Sequence, residues 1–204
     1  MVWNSRSRLQ QVAVIGVRVL LGAIFFTSGM GKLTHGDFVG LIGPVWLEER
    51  LAQYGLGLWA QFVAWSQVTI GLLLLSQRFA TLGAVMLVPM LVNILVVTIS
   101  LQWRGTPYVN AVLLLLNLFL LATDWRKLLP LVAESDGAVV HRREPRQVSK
   151  LVVLGLIAGI SSPAVYGLHR MATFVLAALA VSLFAAATVK EYRRIPARPD
   201  ARPV

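Results

Sequence analysis

The chain has 204 residues, of which 57% are hydrophobic and only 14% are charged, and its mean hydropathy is +0.71. Soluble domains carry about 25% charged residues, so this composition excludes an ordinary soluble domain and indicates an integral membrane protein. The absence of cysteine excludes disulfides, thiolate metal sites and cysteine nucleophiles, and the net charge of +10 is typical of membrane proteins that hold Lys and Arg on one side, without a nucleic-acid partner.

A transmembrane helix needs about 20 predominantly apolar residues, and six stretches of the chain meet or approach that length. Arg18 interrupts the first stretch, and Ser161, Ser162 and Pro163 interrupt the fifth. We therefore predict an all-α fold, a polytopic membrane helical bundle with six transmembrane helices. In chain order, the predicted spans are Leu9–Met30, Leu56–Ser76, Phe79–Trp103, Thr106–Thr123, Leu151–Leu168 and Met171–Val189.

The spans and the polar stretches between them divide the chain into four predicted segments. The final segment is rich in Pro and Arg, a composition typical of disorder. The segments are a four-span membrane bundle at 1–130 with an outer loop at 33–55, a cytoplasmic linker at 131–149, a C-terminal transmembrane hairpin at 150–194 and a disordered tail at 195–204.

The outer loop contains the sequence PVWLEERLAQY. Pro44 is suited to open a helix, and Leu47, Leu51 and Tyr54 would then share one face. We predict a short helix that lies on the outer surface of the membrane; an irregular loop is the alternative.

The distribution of Lys and Arg predicts the orientation, because cytoplasmic loops of membrane proteins are enriched in these residues. Six spans place 14 of the 19 Lys and Arg residues on the side of both termini and four on the other, while Arg18 lies within a span. The chain is therefore predicted to be a multi-pass protein of the cell (inner) membrane, with cytoplasmic N- and C-termini.

The fourth span carries Asn110, Asn117 and Asp124 at intervals of seven residues. Seven residues are nearly two helical turns, so the three side chains lie on one face. An unpaired amide or carboxylate in hydrocarbon costs several kcal/mol, and this face must therefore meet other helices or a cavity. Arg18 also lies within a span, and Asp124 is the acid that flanks the first four spans on the same side. We predict that Arg18 and Asp124 form a pair.

Other spans offer further polar partners. Gln67 lies on a stripe of small residues in the second span, Asn93 lies near the centre of the third, and Arg18 and Lys32 share a face of the first. These side chains are candidates for ligand binding. The alternatives are plain interhelical contacts for the amides, snorkelling of Arg18 to the headgroups and an interface anchor for Lys32. The predicted ligand-binding or buried polar cluster is Arg18, Lys32, Gln67, Asn93, Asn117 and Asp124.

Motifs for self-contained catalysis are absent from the sequence. It has no HExxH, P-loop, GxGxxG or GxSxG pattern, and no histidine lies within a predicted span, so neither a metal site nor a bis-histidine haem is expected. The catalytic residues stay unidentified, and whether the protein is an enzyme stays open.

Three stretches carry a family resemblance. In RVLLGAIFFTSGMGKL (18–33), an Arg opens a Leu-Gly-Phe run that ends in Gly and Lys; VTIGLLLLSQRFATLGAVMLVPML (68–91) has a Gly-Leu-Leu-Leu stretch and a short turn bearing Arg; NLFLLATDWRKL (117–128) ends the fourth span. These stretches resemble the DoxX-like (DoxX/DoxD) family of integral membrane proteins. The matching positions are Arg18, Gly29, Lys32, Gly71, Arg78 and Asp124.

The resemblance implies a four-helix membrane core, to which the C-terminal hairpin is an addition, and association with oxidoreductase systems, including a thiosulfate:quinone oxidoreductase subunit. The leading hypothesis is thus a subunit of a membrane electron-transfer system that contacts quinone. Quinone is the possible cofactor in this hypothesis. The expected partners are the lipid bilayer and either other proteins or further copies of the chain. The alternatives are a small transporter or permease for an anionic solute and a non-catalytic membrane scaffold.

Overall fold

The structure is a computed structural model, and it describes residues 8–43, 46–132 and 148–193. These residues form helices, turns and loops, without a strand among them, which confirms the all-α prediction. Most of the predicted linker, and the tail, lie outside the described residues. The helices are α1 (Arg8–Leu33), α2 (Leu47–Ala52), α3 (Gly57–Leu75), α4 (Ala80–Ser100), α5 (Thr106–Val132), α6 (Lys150–Ala164) and α7 (Arg170–Arg193).

Within the described residues, five helices, α1, α3, α4, α5 and α7, are long and apolar enough to cross a membrane. The fifth predicted span, Leu151–Leu168, is shorter than expected, because α6 has 15 residues and so measures about 22 Å, at 1.5 Å per residue. Pro163 lacks the N–H that would bond the Gly159 carbonyl, and the Ser162 hydroxyl donates to that carbonyl instead, at 2.8 Å. The helix ends one residue later, where the predicted span continued to Leu168.

Four helices form the bundle that holds the polar residues. α1 contacts α3 and α5, and α4 contacts the same two helices, so the four surround a common interior. The closest approach joins α1 to α3 through the predicted stripe of small residues. A Cβ on Gly29 would lie 2.7 Å from the Ala64 carbonyl oxygen and 2.8 Å from the Val68 backbone nitrogen, so the two backbones meet without a side chain between them.

The C-terminal helices α6 and α7 contact each other along their lengths, and α6 also contacts α3. A Cβ on Gly155 would lie 2.7 Å from the Phe184 ring, which places these two helices in close contact. Their inner side chains join those of α1 and α3 in one buried apolar cluster. This cluster contains Phe26, Met30, Val68, Leu72, Leu75, Val152, Ala177 and Phe184.

The connections lie at two ends of the bundle. We call the end with the 34–56 connection, the α4–α5 turn and the α6–α7 turn the loop side, and the other end the amino-terminal side. On the loop side, residues 34–43, which we call the strap, fold back along the end of α1. The backbone N–H of Ile42 donates to the Ser28 hydroxyl at 3.3 Å, and that of Phe38 donates to the Thr34 hydroxyl at 3.0 Å.

The short helix predicted within the 34–56 connection is present as α2. Its extent differs from the prediction, because α2 ends at Ala52 and Tyr54 lies beyond it with 79% of its surface exposed. Pro44, which was predicted to open the helix, lies outside the described residues.

Candidate functional site

The three polar residues of α5 all point into the protein. Asn110, Asn117 and Asp124 are 3%, 0% and 4% exposed, which confirms the inward face predicted from their spacing. They do not meet at one place. Asp124 lies at the amino-terminal side, Asn117 contacts α4, and Asn110 lies at a cavity on the loop side.

At the amino-terminal side, the predicted pair of Arg18 and Asp124 is confirmed. The Arg18 guanidinium donates to Asp124 Oδ2 at 2.6 Å, and both side chains are almost wholly buried. The Thr81 hydroxyl donates to the same oxygen at 2.9 Å, and Lys127 donates to Oδ1, also at 2.9 Å. A carboxylate within a membrane bundle needs such donors, and here α1, α4 and α5 supply them together.

Asn117 joins α5 to α4 halfway along the bundle. Its Nδ2 donates to the Ala84 carbonyl at 2.9 Å, whereas its Oδ1 is buried without a partner. Apolar side chains surround this level of the bundle. Leu21 and Phe25 of α1, Leu87 and Leu91 of α4, and Leu113 and Leu120 of α5 are all buried in one cluster.

A cavity of about 90 Å³ lies on the loop side of that apolar layer, between α1, α3, α4 and α5. It has room for several water molecules or a small ring, since one water needs about 10–15 Å³ on this measure. Apolar side chains form most of its wall, and the strap contributes Ile42 and Gly43 to it. The polar groups that line the cavity are Ser28, Lys32, Gln67, Asn93, Thr98, Thr106 and Asn110.

Lys32 turns into this cavity. Its amine donates to the Gln67 side-chain oxygen at 3.0 Å and to the Ser28 carbonyl at 3.3 Å. Helical side chains lean toward the N-terminus of their helix, which carries the amine from the end of α1 toward the middle of α3. Lys32 thus lines the cavity, and its role in ligand binding stays a prediction.

Two amides complete the polar wall. Asn110 lines the cavity, and its Nδ2 is buried without a hydrogen-bond partner. Asn93 also lines the cavity but is exposed, because it lies beside the buried face of α4, which contains Met90, Leu91 and Thr98. The cavity is partly open to the exterior.

The structure thus divides the six predicted site residues. Lys32, Gln67 and Asn93 come together at the cavity, whereas Arg18 and Asp124 pair on the amino-terminal side and Asn117 lies between the two places. Sequence analysis had placed Asn110 on the inward face but outside the candidate site. Its spacing from Asn117 predicted its burial, but the pattern held no sign that a cavity lies beside it.

The cavity can bind an uncharged ring or chain that carries a hydrogen-bond acceptor. Lys32 and Asn110 are among its polar lining residues, and the remaining wall favours apolar atoms. Among the described residues, no group of three or more His, Asp or Glu side chains could hold a metal ion.

Residues 13–100, which contain most of α1, the strap and helices α2 to α4, match the DoxX family profile. This part of the chain is therefore similar to DoxX proteins. A curated protein that the chain also resembles, the uncharacterized protein YwoB of Bacillus subtilis (strain 168), is 29% identical over 148 residues, which cover 65% of this chain and 86% of that protein. No solved structure matches the chain. The matched region ends before α5, so the resemblance of residues 117–128 to DoxD-like members stays a prediction.

Proposed function

We propose that this protein is a subunit of a membrane electron-transfer system and that its cavity binds the ring of a quinone. The observation that carries the proposal is a mostly apolar cavity that is lined by two residues with hydrogen-bond donor groups, Lys32 and Asn110. The Asn110 donor is buried without a protein partner, and leaving such a group unpaired costs about 1–3 kcal/mol. A ligand oxygen at this position would remove that cost.

The chain's own residues suit an acceptor whose oxygen gains charge on reduction. Gln67 accepts a hydrogen bond from the Lys32 amine and so directs that amine into the cavity. The ammonium group stabilises negative charge on a nearby oxygen, and the effect is strong because the surrounding wall excludes water. Asn110 would add a neutral donor from α5. Asn93 lines the cavity and is exposed, so an apolar tail would leave the bundle beside it.

The apolar layer between the cavity and the Arg18–Asp124 pair favours a binding site over a path for an anionic solute. Leu21, Leu87 and Leu91 are fully buried and lie, along their helices, between the two polar places. A transporter would need to open this layer. Uptake of anions into proteoliposomes that contain the purified protein would favour the transport alternative and count against the proposal.

The test is quinone binding by the protein in lipid nanodiscs, followed by the quenching of its tryptophan fluorescence or by extraction of bound quinone. Asn110→Leu is expected to weaken binding about tenfold, as loss of one donor of about 1.4 kcal/mol would do. Asn117→Leu is the matched control, because it replaces an equally buried amide of the same helix face away from the cavity. Finding no bound quinone and no crosslinked redox partner would overturn the proposal.

A further inference from the structure

Asp37 links the strap to the C-terminal hairpin. The Tyr166 hydroxyl donates to Asp37 Oδ2, and the Arg170 guanidinium pairs with the same oxygen. Tyr166 lies in the α6–α7 turn and Arg170 begins α7. The hydrogen bond to Asp37 raises the pKa of Tyr166 above its ordinary value. The ring of His35, also in the strap, lies 6.5 Å from that of Tyr166.

An aromatic contact beside Asp37 makes the same connection. The Phe38 ring stacks on the Phe174 ring of α7, with centroids 5.7 Å apart, and meets the Phe26 ring of α1 edge-on at 6.3 Å. Phe38 is thus held between the hairpin and the bundle. Aromatic pairs of this kind contribute beyond the area that they bury.

The strap continues from these contacts to the cavity. Its backbone passes so close to α1 that a Cβ on Gly31 would lie 3.0 Å from the Phe38 carbonyl oxygen. Five residues after Asp37, Ile42 reaches the cavity wall, followed by Gly43, where an added Cβ would lie 3.3 Å from the Lys32 amine. The same ten-residue segment therefore contacts the hairpin at one end and covers the Lys32 amine at the other.

We propose that Asp37 is a positioning residue for the cavity. Through Asp37, the C-terminal hairpin holds the strap over the loop side of the cavity and sets the access of water-soluble molecules to it. The inference rests on the proposed function only in taking the cavity as the ligand site. The C-terminal hairpin lies outside the matched DoxX region and does not line the cavity. In this proposal it acts on the cavity indirectly, through the strap.

The test uses the absence of cysteine, because a single introduced thiol is then the only target of a maleimide. Thr98→Cys places a thiol of similar size at a buried position of the cavity wall. In nanodiscs, a sulfonated, water-soluble maleimide is expected to label it slowly. Asp37→Ala is expected to speed this labelling about two- to fivefold, as the loss of a solvent-exposed charged contact would. Tyr166→Phe, a change on the hairpin alone, is expected to act in the same direction, and Asp37→Glu to restore slow labelling.

Asn117→Cys, buried but away from the cavity, separates local opening from general loosening. Its labelling rate is expected to stay unchanged by Asp37→Ala. The inference is overturned if Asp37→Ala leaves Thr98→Cys at the parent rate, or if it speeds the labelling of both thiols equally. Because no quinone is used, a protein that binds none can still show Asp37-dependent labelling, and the two proposals fail separately.

Discussion

At the scale of single residues, the Arg18–Asp124 pair has the largest consequence for stability. Both side chains are almost wholly buried, and an ion taken from water to such a place loses several kcal/mol of hydration. Their mutual attraction offsets this loss only while both are present and hydrogen-bonded. The intact pair therefore adds little net stability, but removing either partner destabilises the protein because the other charge stays buried.

We expect Arg18→Leu to lower the stability of the protein by about 3–5 kcal/mol, because it leaves the Asp124 carboxylate buried with fewer donors. Adding Asp124→Leu should recover most of that loss, since no buried charge then remains. The measurement is the thermal unfolding midpoint in a mild detergent.

The control for this pair is Lys127→Leu. Lys127 also contacts Asp124, but 46% of its side chain is exposed, so its loss should cost only about 0–1 kcal/mol. The charge-reversed pair, Arg18→Asp with Asp124→Arg, should be more stable than Arg18→Asp alone. Equal midpoints for the single and double variants would contradict the account of the pair.

Residues on a periodic pattern were predictable from the sequence. The spacing of seven placed Asn110, Asn117 and Asp124 on an inward face, and charge pairing selected the partner of Arg18. Asp37 and Tyr166 follow no such pattern, because they lie 129 residues apart and meet only when the hairpin packs on the bundle.

At the scale of helices, the contact of α1 with α3 depends on glycine at two levels. Gly29 lies against Ala64 and Val68, and Gly22 lies against Gly71 and Leu75. Backbone atoms supply several of these contacts, so a bulkier residue could be accommodated only by a shift of a whole helix. In lipid, where apolar side chains gain little by leaving their surroundings, such close packing is a main source of helix association.

We expect Gly29→Ala to destabilise the protein by about 1–3 kcal/mol through overpacking. Gly16 is the matched control on the same helix, because a Cβ there would meet nothing within 4 Å. Gly16→Ala should be neutral or raise stability by about 0.5–1 kcal/mol, because alanine is the better helix former. Thermal unfolding of both variants measures the difference, and equal midpoints would contradict the close contact.

Hydropathy alone predicted where the long helices lie, but it did not predict where α6 ends. Apolar residues continue past Ala164, so the pattern extended the span to Leu168. The helix instead ends one residue after Pro163, and the chain continues as a turn in which the backbone N–H of Tyr166 donates to the Pro163 carbonyl. An apolar average cannot register this local change in backbone hydrogen bonding.

At the scale of the whole molecule, two buried apolar clusters among the described residues hold different sets of helices together. One lies inside the four-helix bundle and separates its two polar places. The other joins α1 and α3 to the hairpin. The cavity lies on the loop side of the first cluster and has the strap in its wall. The position of the cavity depends on how the helices, the two clusters and the strap pack together. The sequence therefore predicted the polar residues Lys32, Gln67 and Asn93 but not the cavity that they line together.

The orientation of the molecule stays a prediction, and single thiols test it. Tyr54 is 79% exposed and Leu168 is 87% exposed, both on the loop side, whereas Ser149 is exposed on the amino-terminal side, just before α6. The excess of Lys and Arg predicts that the amino-terminal side faces the cytoplasm. A membrane-impermeant maleimide added to intact spheroplasts should therefore label Tyr54→Cys and Leu168→Cys.

Ser149→Cys should react only after the membrane is permeabilised. The labelling of Leu168→Cys also tests whether the short helix α6 crosses the membrane. The contact of Tyr166 with Asp37 places its turn beside the strap, so Leu168→Cys should follow Tyr54→Cys. Labelling of Ser149→Cys and Leu168→Cys from the same side would show that α6 does not cross, and labelling of Ser149→Cys alone in intact spheroplasts would reverse the orientation.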